Sequence, residues 1–233
     1  MTVLAFPSPP TSITAQLLLV GIWLGIVIGS AELLKRWITT DPEITRKVVH
    51  IGTGNVILLA WWLDVPTWVG IAASVIFSIV TLLSYRYPIL ASVSGVGRKS
   101  LGTFFYALSI GILIAWFWPL KLPQYAAIGI LTMTWGDGLA ALIGQRFGRH
   151  PYQAWGMNKS WEGSLSMAGV SCLIIFGILW ITQGNVMATW ISAVAISVIV
   201  STLEAFSKWG VDNLTVPIAS AALGFVFNEF WLT

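Results

Sequence analysis

TWGDGLAALIGQRFG, residues 134–148, places one carboxylate, Asp137, inside a run that is otherwise mostly small or apolar. What surrounds this run decides the fold: water, a protein core or lipid. Of the 233 residues, 57% are hydrophobic and 9% are charged. A soluble domain carries about 25% charged residues, and a chain this poor in charge cannot coat a water-facing surface. Apolar runs of membrane-spanning length recur from end to end. The surround is therefore lipid, and the chain reads as an all-α, polytopic membrane helical bundle. β-Strand alternation is absent, so the spans are helices rather than barrel strands.

A window of roughly 19 residues gives about eight spans, at 13–34, 48–63, 66–84, 101–118, 124–144, 163–182, 186–204 and 214–231. The second and last are short and amphipathic, which leaves seven as the rival count. Residues 1–12 form a tail without Lys or Arg. The first apolar run then reads as a span rather than a signal peptide, and 13–233 as a single transmembrane domain. With the N-terminus outside, the 12 Lys and Arg residues all fall in inner loops except Lys121, as the positive-inside rule requires. Trp37, Trp61, Trp62, Trp68, Trp116, Trp118, Trp180 and Trp231 lie near span ends, as an interfacial belt should. Asp137, Glu162, Glu204 and Asp212 also gather at inner ends, while Asp64 and Glu229 fall outside. A one-sided cluster suits a water-soluble reactant better than a channel, which places ionisable groups along its whole path. The single Cys172 allows no internal disulfide or cysteine-based metal site. Membrane lipids are expected partners; nucleic acid is not.

Asp137 is costly in lipid, about 2.5–3.5 kcal/mol on insertion scales, and intramembrane acids are functional by default. The alternative is a carboxylate capped by a polar or basic residue of another helix. Gly136, Ala140, Gly144 and Gly148 make a small-residue stripe for a close helix neighbour. Gly136 and Gly138, flanking the acid, are expected to leave room for a ligand or metal. In the long inner loop QRFGRHPYQAWGMNKSWEGS, Arg146, Arg149, His150 and Lys159 are cations and Glu162 is the acid. Asn158 or Ser160 can cap the following helix, whose inward N-terminus attracts phosphate. GMNKS lacks the spacing of a P-loop. Glu204 and Lys208 stand i,i+4, a possible helix pair. Asp212 or Asn213 can cap the last span or ligate metal, and Pro217 fits its first turn. Arg46 and His50 share a helix face, and His50 can be a base, a phosphate donor or a buried polar residue. Arg98 and Lys99 precede another inward helix N-terminus. Carboxylates together with substrate phosphates are how Mg²⁺ is commonly held, and cations stabilise a transferring phosphoryl group. The residues thus point to phosphoryl or nucleotidyl transfer onto a lipid at the cytosolic interface.

Four segments in order, RKVVHIGTGN (46–55), GDGLAALIGQRFG (136–148), NKSWEGS (158–164) and VDNLTVP (211–217), resemble the polyprenol kinase family of phytol, farnesol and dolichol kinases. The resemblance covers about 43–230 and is strongest to the phytol kinase branch of cyanobacteria and plastids. It implies transfer of the γ-phosphoryl of a nucleoside triphosphate, typically CTP, to a prenyl alcohol. For phytol it implies phytyl phosphate, salvaged towards tocopherol, made in a plasma or thylakoid membrane. It implies catalytic roles for Asp137, Glu162 and His50. It implies metal ligation, by Mg²⁺, at Asp137, Glu162, Glu204 and Asp212. Lys159, Arg146, Ser160, Asn213, Arg98 and Lys99 are the expected nucleotide and phosphate contacts. Asp137 is the first choice of base, with metal ligation open. Two other readings remain: a lipid cytidylyltransferase, told apart by release of pyrophosphate, and an ion-coupled transporter, told apart by flux without CTP.

Overall fold

The computed structural model describes residues 12–37, 41–85, 87 and 101–231. Helices α1 (Ile13–Trp37), α2 (Pro42–Gly54), α3 (Val56–Trp62), α4 (Thr67–Ser84) and α5 (Gly102–Phe117) come first. Then α6 (Pro123–Leu131) runs through a π-helical turn (Thr132–Asp137) into α7 (Gly138–Phe147). A hairpin, β1 (Pro151–Ala154) and β2 (Met157–Ser160), leads to α8 (Trp161–Gln183), α9 (Met187–Ala205) and α10 (Asp212–Val226), and a second π-helical turn (Phe227–Trp231) follows. The protein is a helical bundle, as the composition demands: in lipid every backbone N–H and C=O must be satisfied within its own segment.

The run α6–π–α7 is the axis. Every residue from Gln124 to Thr134 is buried, the mark of a helix packed on all sides; α3, α5, α8 and α10 surround α6. Gly129 lets α10 come close, because a Cβ there would collide with the Pro217 carbonyl oxygen. The outer helices invert the soluble pattern. Leu18, Ile22, Ile26 and Ile28 of α1, and Val194 and Val198 of α9, are more than half exposed, a lipid-facing surface. By length and composition α1, α4, the α6–α7 run, α8 and α9 are each able to cross a membrane. Helix α5, at 16 residues, is about 24 Å long, and α2–α3 is broken at Asn55, so the count of eight crossings stays an expectation.

Four local readings are corrected. The second helix begins at Pro42 rather than near 48: Asp41 caps it by accepting from the Glu43 N–H at 2.8 Å. Arg46 and Lys47 therefore ride on α2, not in a loop. Residues 151–160 are a hairpin, with Trp155 at φ 48° and Gly156 at φ 76° making the left-handed two-residue turn that suits strand twist. Pro217 lies inside α10, not in its first turn, and Asp212 opens that helix without capping it. Trp118 is buried, its indole N–H donating to the Val65 carbonyl at 3.0 Å.

Candidate active site

Five elements converge at one end of the bundle: the first half of α2, the π-helical turn, the hairpin, the end of α9 and the start of α10. They line a cleft of about 980 Å³. Carboxylate oxygens of Asp137, Glu204 and Asp212 lie within 4.8 Å of one another there. Three acids from separate segments at such range repel unless cations intervene. Two lysines do. The Lys47 ammonium, 2% exposed, sits 2.5 Å from Asp137 Oδ2 and 3.3 Å from the Asp137 carbonyl. Lys159 makes the same pair of contacts with the carboxylate and carbonyl of Glu204.

Each placement has a local cause. Asp137 ends the π-helical turn; an inserted residue of this kind re-aims a side chain and is frequent at functional sites. Lys159 is carried by β2, opposite Tyr152, whose hydroxyl meets Ser164 Oγ of α8 at 2.6 Å. Burial opposes the Lys159 charge, but the Glu204 carboxylate outweighs it and raises the lysine above its ordinary value. Asp212, just outside the last span, has no cation within ion-pair distance among the described residues. Burial first, then the Asp137 charge, push its carboxyl up to about 6. Glu43 and Arg46 form a further pair at 2.5 Å on the wall of the cleft.

The small-residue stripe packs α7 on α8. A Cβ at Gly163 would stand 3.0 Å from the Ala140 carbonyl oxygen, and one at Gly144 3.1 Å from Ser160 Oγ. Gly136 and Gly138 do not open a path for a ligand, contrary to expectation: a Cβ at Gly136 would stand 2.6 Å from Met167 Sδ and one at Gly138 2.9 Å from Ile51, so these side chains already fill the space.

The sequence candidates divide. Asp137, Glu204, Asp212, His50, Lys159, Ser160 and Asn213 all line the cleft. His50 Nε2 is buried without a hydrogen-bond partner among the described residues, 3.9 Å from Asp137 Oδ2. Ser160 caps α8 by accepting from the Gly163 N–H at 3.2 Å, and the Trp161 N–H is taken by the His150 carbonyl at 3.1 Å. Two N–H groups of that helix start are therefore already satisfied. Glu162 does not join the acids: in the first turn of α8 it faces the hairpin side and binds His150 Nδ1 at 2.6 Å. Arg146 points out of the cleft and lies over the Phe147 ring at 5.8 Å. Glu204 pairs with Lys159 rather than Lys208, which lies beyond the end of α9. Arg98 and Lys99 lie outside the described residues. Lys47 was missed as a site residue, because next to Arg46 it read as topology alone; its spacing of three from His50 was the available signal.

No family profile matches the chain, and no solved structure does. Among curated proteins, the phytol kinase of Synechocystis sp. is 51% identical over 210 residues, which cover 90% of each chain. The chain belongs to the polyprenol kinase family. A probable chloroplastic phytol kinase 2 of Oryza sativa subsp. japonica is 30% identical, over 88% of this chain and 72% of that one. A chloroplastic farnesol kinase of Arabidopsis thaliana is 30% identical, over 80% and 66%. In this polyprenol kinase the cluster of three acids and two lysines is the candidate catalytic centre.

The Lys47–Asp137 pair makes a stability prediction. Removing one partner of a buried pair strands the other and costs about 3–5 kcal/mol. Lys47→Met should lower thermal stability in detergent by that order. Asp137→Asn in the Lys47→Met background should recover part of it, with a coupling of about 0.5–3 kcal/mol. Additive losses across the four proteins would show that the pair does not hold the site together.

Proposed function

We propose that this protein transfers the γ-phosphoryl group of a nucleoside triphosphate, CTP by family resemblance, to a prenyl alcohol, with phytol the first choice. The observation that supports this reading best is the meeting of Asp137, Glu204 and Asp212 within 4.8 Å, flanked by Lys47 and Lys159. Hard oxygen donors with spare negative charge fit Mg²⁺ bound together with phosphates. When bound, the ion supplies charge neutralisation for the β- and γ-phosphate oxygens. The residues that would hold it are Asp137, Glu204 and Asp212. Lys47 and Lys159 neutralise those carboxylates in the free protein. With the triphosphate in place, the same ammonium groups are free to face phosphate oxygens, with Arg46 on the cleft wall beside them. Ser160 and Asn213, which also line the cleft, would orient the polar end of the nucleotide.

Asp137 stands where the acid cluster meets His50. Its carboxylate takes the proton of the alcohol, and the alcohol oxygen attacks the γ-phosphorus. The β–γ bridging oxygen leaves with the nucleoside diphosphate. His50 Nε2, buried and without a hydrogen-bond partner among the described residues, is placed to hold the alcohol oxygen. The bias of Lys and Arg supports a cytosolic site, and its assembly from α2 through α10 supports 13–233 as one domain. Salvage of phytol towards tocopherol is the role this activity would serve.

The test is an assay of the purified protein with Mg²⁺, labelled CTP or ATP, and phytol, geranylgeraniol, farnesol or dolichol. A nucleoside diphosphate and a prenyl monophosphate are expected, with phytol the best acceptor. Asp137→Asn strands Lys47 and should lose stability, so turnover is compared per folded molecule; it should be at least about 100-fold slower, the lower end for loss of a general base. Pyrophosphate with a CDP-lipid would instead make the protein a cytidylyltransferase.

A further inference from the structure

The cleft has an arm that the acids and lysines do not occupy. It continues from His50 between α2 on one side and the α4–α5 pair on the other. Its walls change character along the way. Val49, His50 and Thr53 line it from a single face of α2, and Phe77 of α4 and Tyr106 of α5 line it from across. The Thr53 hydroxyl is spent on its own helix, donating to the Val49 carbonyl at 2.8 Å, so it offers the arm mainly its methyl group. The Tyr106 ring packs on His50 with centroids 4.4 Å apart. Its hydroxyl is turned away to Thr134 Oγ1 at 2.6 Å, which in turn donates to the Ile130 carbonyl. Around His50 the wall is therefore apolar although Thr53 and Tyr106 carry hydroxyls; Tyr85 and Thr103, which also line the α4–α5 side, are hydrogen-bonded to each other.

The arm is closed towards the core. Gly54 sits so tightly against Tyr106 and Thr134 that even a methyl group there would collide with both hydroxyls. At its other end it is bordered by α4. Phe77 is 41% exposed and stands two turns before the end of α4, about 10 Å into that helix. Helix α4 is one of the segments apolar and long enough to cross a membrane. Phe77 shares a face of α4 with the buried Ser74, Ser78, Thr81 and Ser84, of which Ser74 donates to the Ala107 carbonyl of α5 at 2.7 Å. The exposed Phe77 ring is the apolar group that this face adds to the cleft.

We infer that this arm is the acceptor site: a prenyl alcohol enters sideways from the bilayer between α2 and α4, its hydroxyl resting at His50 and Asp137 and its tail leaving past Thr53 and Phe77. The inference rests on the kinase reading for the name of the reaction, but the chemistry of the arm stands by itself. One end offers a buried imidazole nitrogen that lacks a partner among the described residues, beside a carboxylate, which suits a hydroxyl. The walls suit a branched hydrocarbon. The closed floor turns a long tail outward into lipid, so the site grips the segment next to the hydroxyl and leaves the rest of the chain in the membrane. The nucleotide arrives from the opposite, charged part of the cleft, and the two substrates meet at Asp137.

Two measurements on the full chain test this. A phytol analogue with a diazirine on the first isoprene unit is photolysed with the wild-type protein in nanodiscs, and labelled peptides are identified by mass spectrometry. Labels at Val49, Thr53, Phe77 or Tyr106, competed by phytol, are expected. Labels confined to the outer faces of α1 or α9, with the arm untouched, overturn the inference even if the protein is an active kinase. Separately, Thr53→Phe fills the arm. It should raise the KM for prenyl alcohols by about tenfold or more, the scale of a pocket filled by extra carbon, while the KM for the nucleotide stays within twofold. Equal effects on both substrates, or none on the alcohol, also overturn it. Competed labelling of the arm in a protein that transfers phosphoryl to no alcohol would keep the site and remove the kinase reading.

Discussion

The pair formed by Lys47 and Asp137 is the constraint around which the rest is arranged. A carboxylate at that depth costs several kcal/mol in lipid unless a cation meets it, and a lysine that is 2% exposed is no better placed alone. Each needs the other, and together they fix α2 against the π-helical turn. That contact pulls the start of α2 beside the centre of the bundle and sets the position of His50 one turn further on. The Lys159–Glu204 pair repeats the device on the other side, joining the hairpin to the end of α9. Asp212, between the two, is the acid without such a partner among the described residues. Three acids with two lysines leave the cluster one negative charge over, a state suited to a divalent cation that arrives with phosphates of its own.

Much of this was legible in the sequence, and for a physical reason. Lipid allows few solutions, so apolar length and charge bias give the helices and the end at which the polar groups meet. The bounds of α4, α8 and α9 fall within a few residues of the expected spans. Asp137, Glu204, Asp212 and Lys159 stood out because charge is rare in such a chain and each instance must be explained. What escaped depends on distance in space or on small backbone changes. Lys47 looked like a topology signal, since a one-dimensional reading cannot see a partner 90 residues away. The π-helical turn at Thr132–Asp137 has no compositional mark. Glu162 was placed with the acids by its inner-side position and by the family resemblance, but the passage from strand to helix at Ser160 turns it away from Lys159 and towards His150. The glycines beside Asp137 were taken for ligand space, whereas Met167 and Ile51 already fill it.

In the proposed arrangement one small bundle serves two reactants that do not mix. The charged part opens where the hairpin and the loop before α10 meet water-side residues such as Asn158 and Trp209. The proposed alcohol arm opens between helices towards lipid. Only the side of Asp137 and His50 borders both. Such a division needs no large moving domain; it needs a polar cluster held at the depth where a lipid hydroxyl can reach it, and the buried ion pairs supply that depth.

The central claim is that the three acids bind a divalent cation jointly with a triphosphate, the lysines holding their place beforehand. It is tested most directly by following Mn²⁺ binding to the purified protein by electron paramagnetic resonance, with and without CTP. The account predicts weak binding to the protein alone and binding tighter by about tenfold or more with CTP, within the usual range of coupling between ligands. It also predicts that Asp212→Asn abolishes this gain. Mn²⁺ binding that is indifferent to CTP, or a gain that survives Asp212→Asn unchanged, would contradict it.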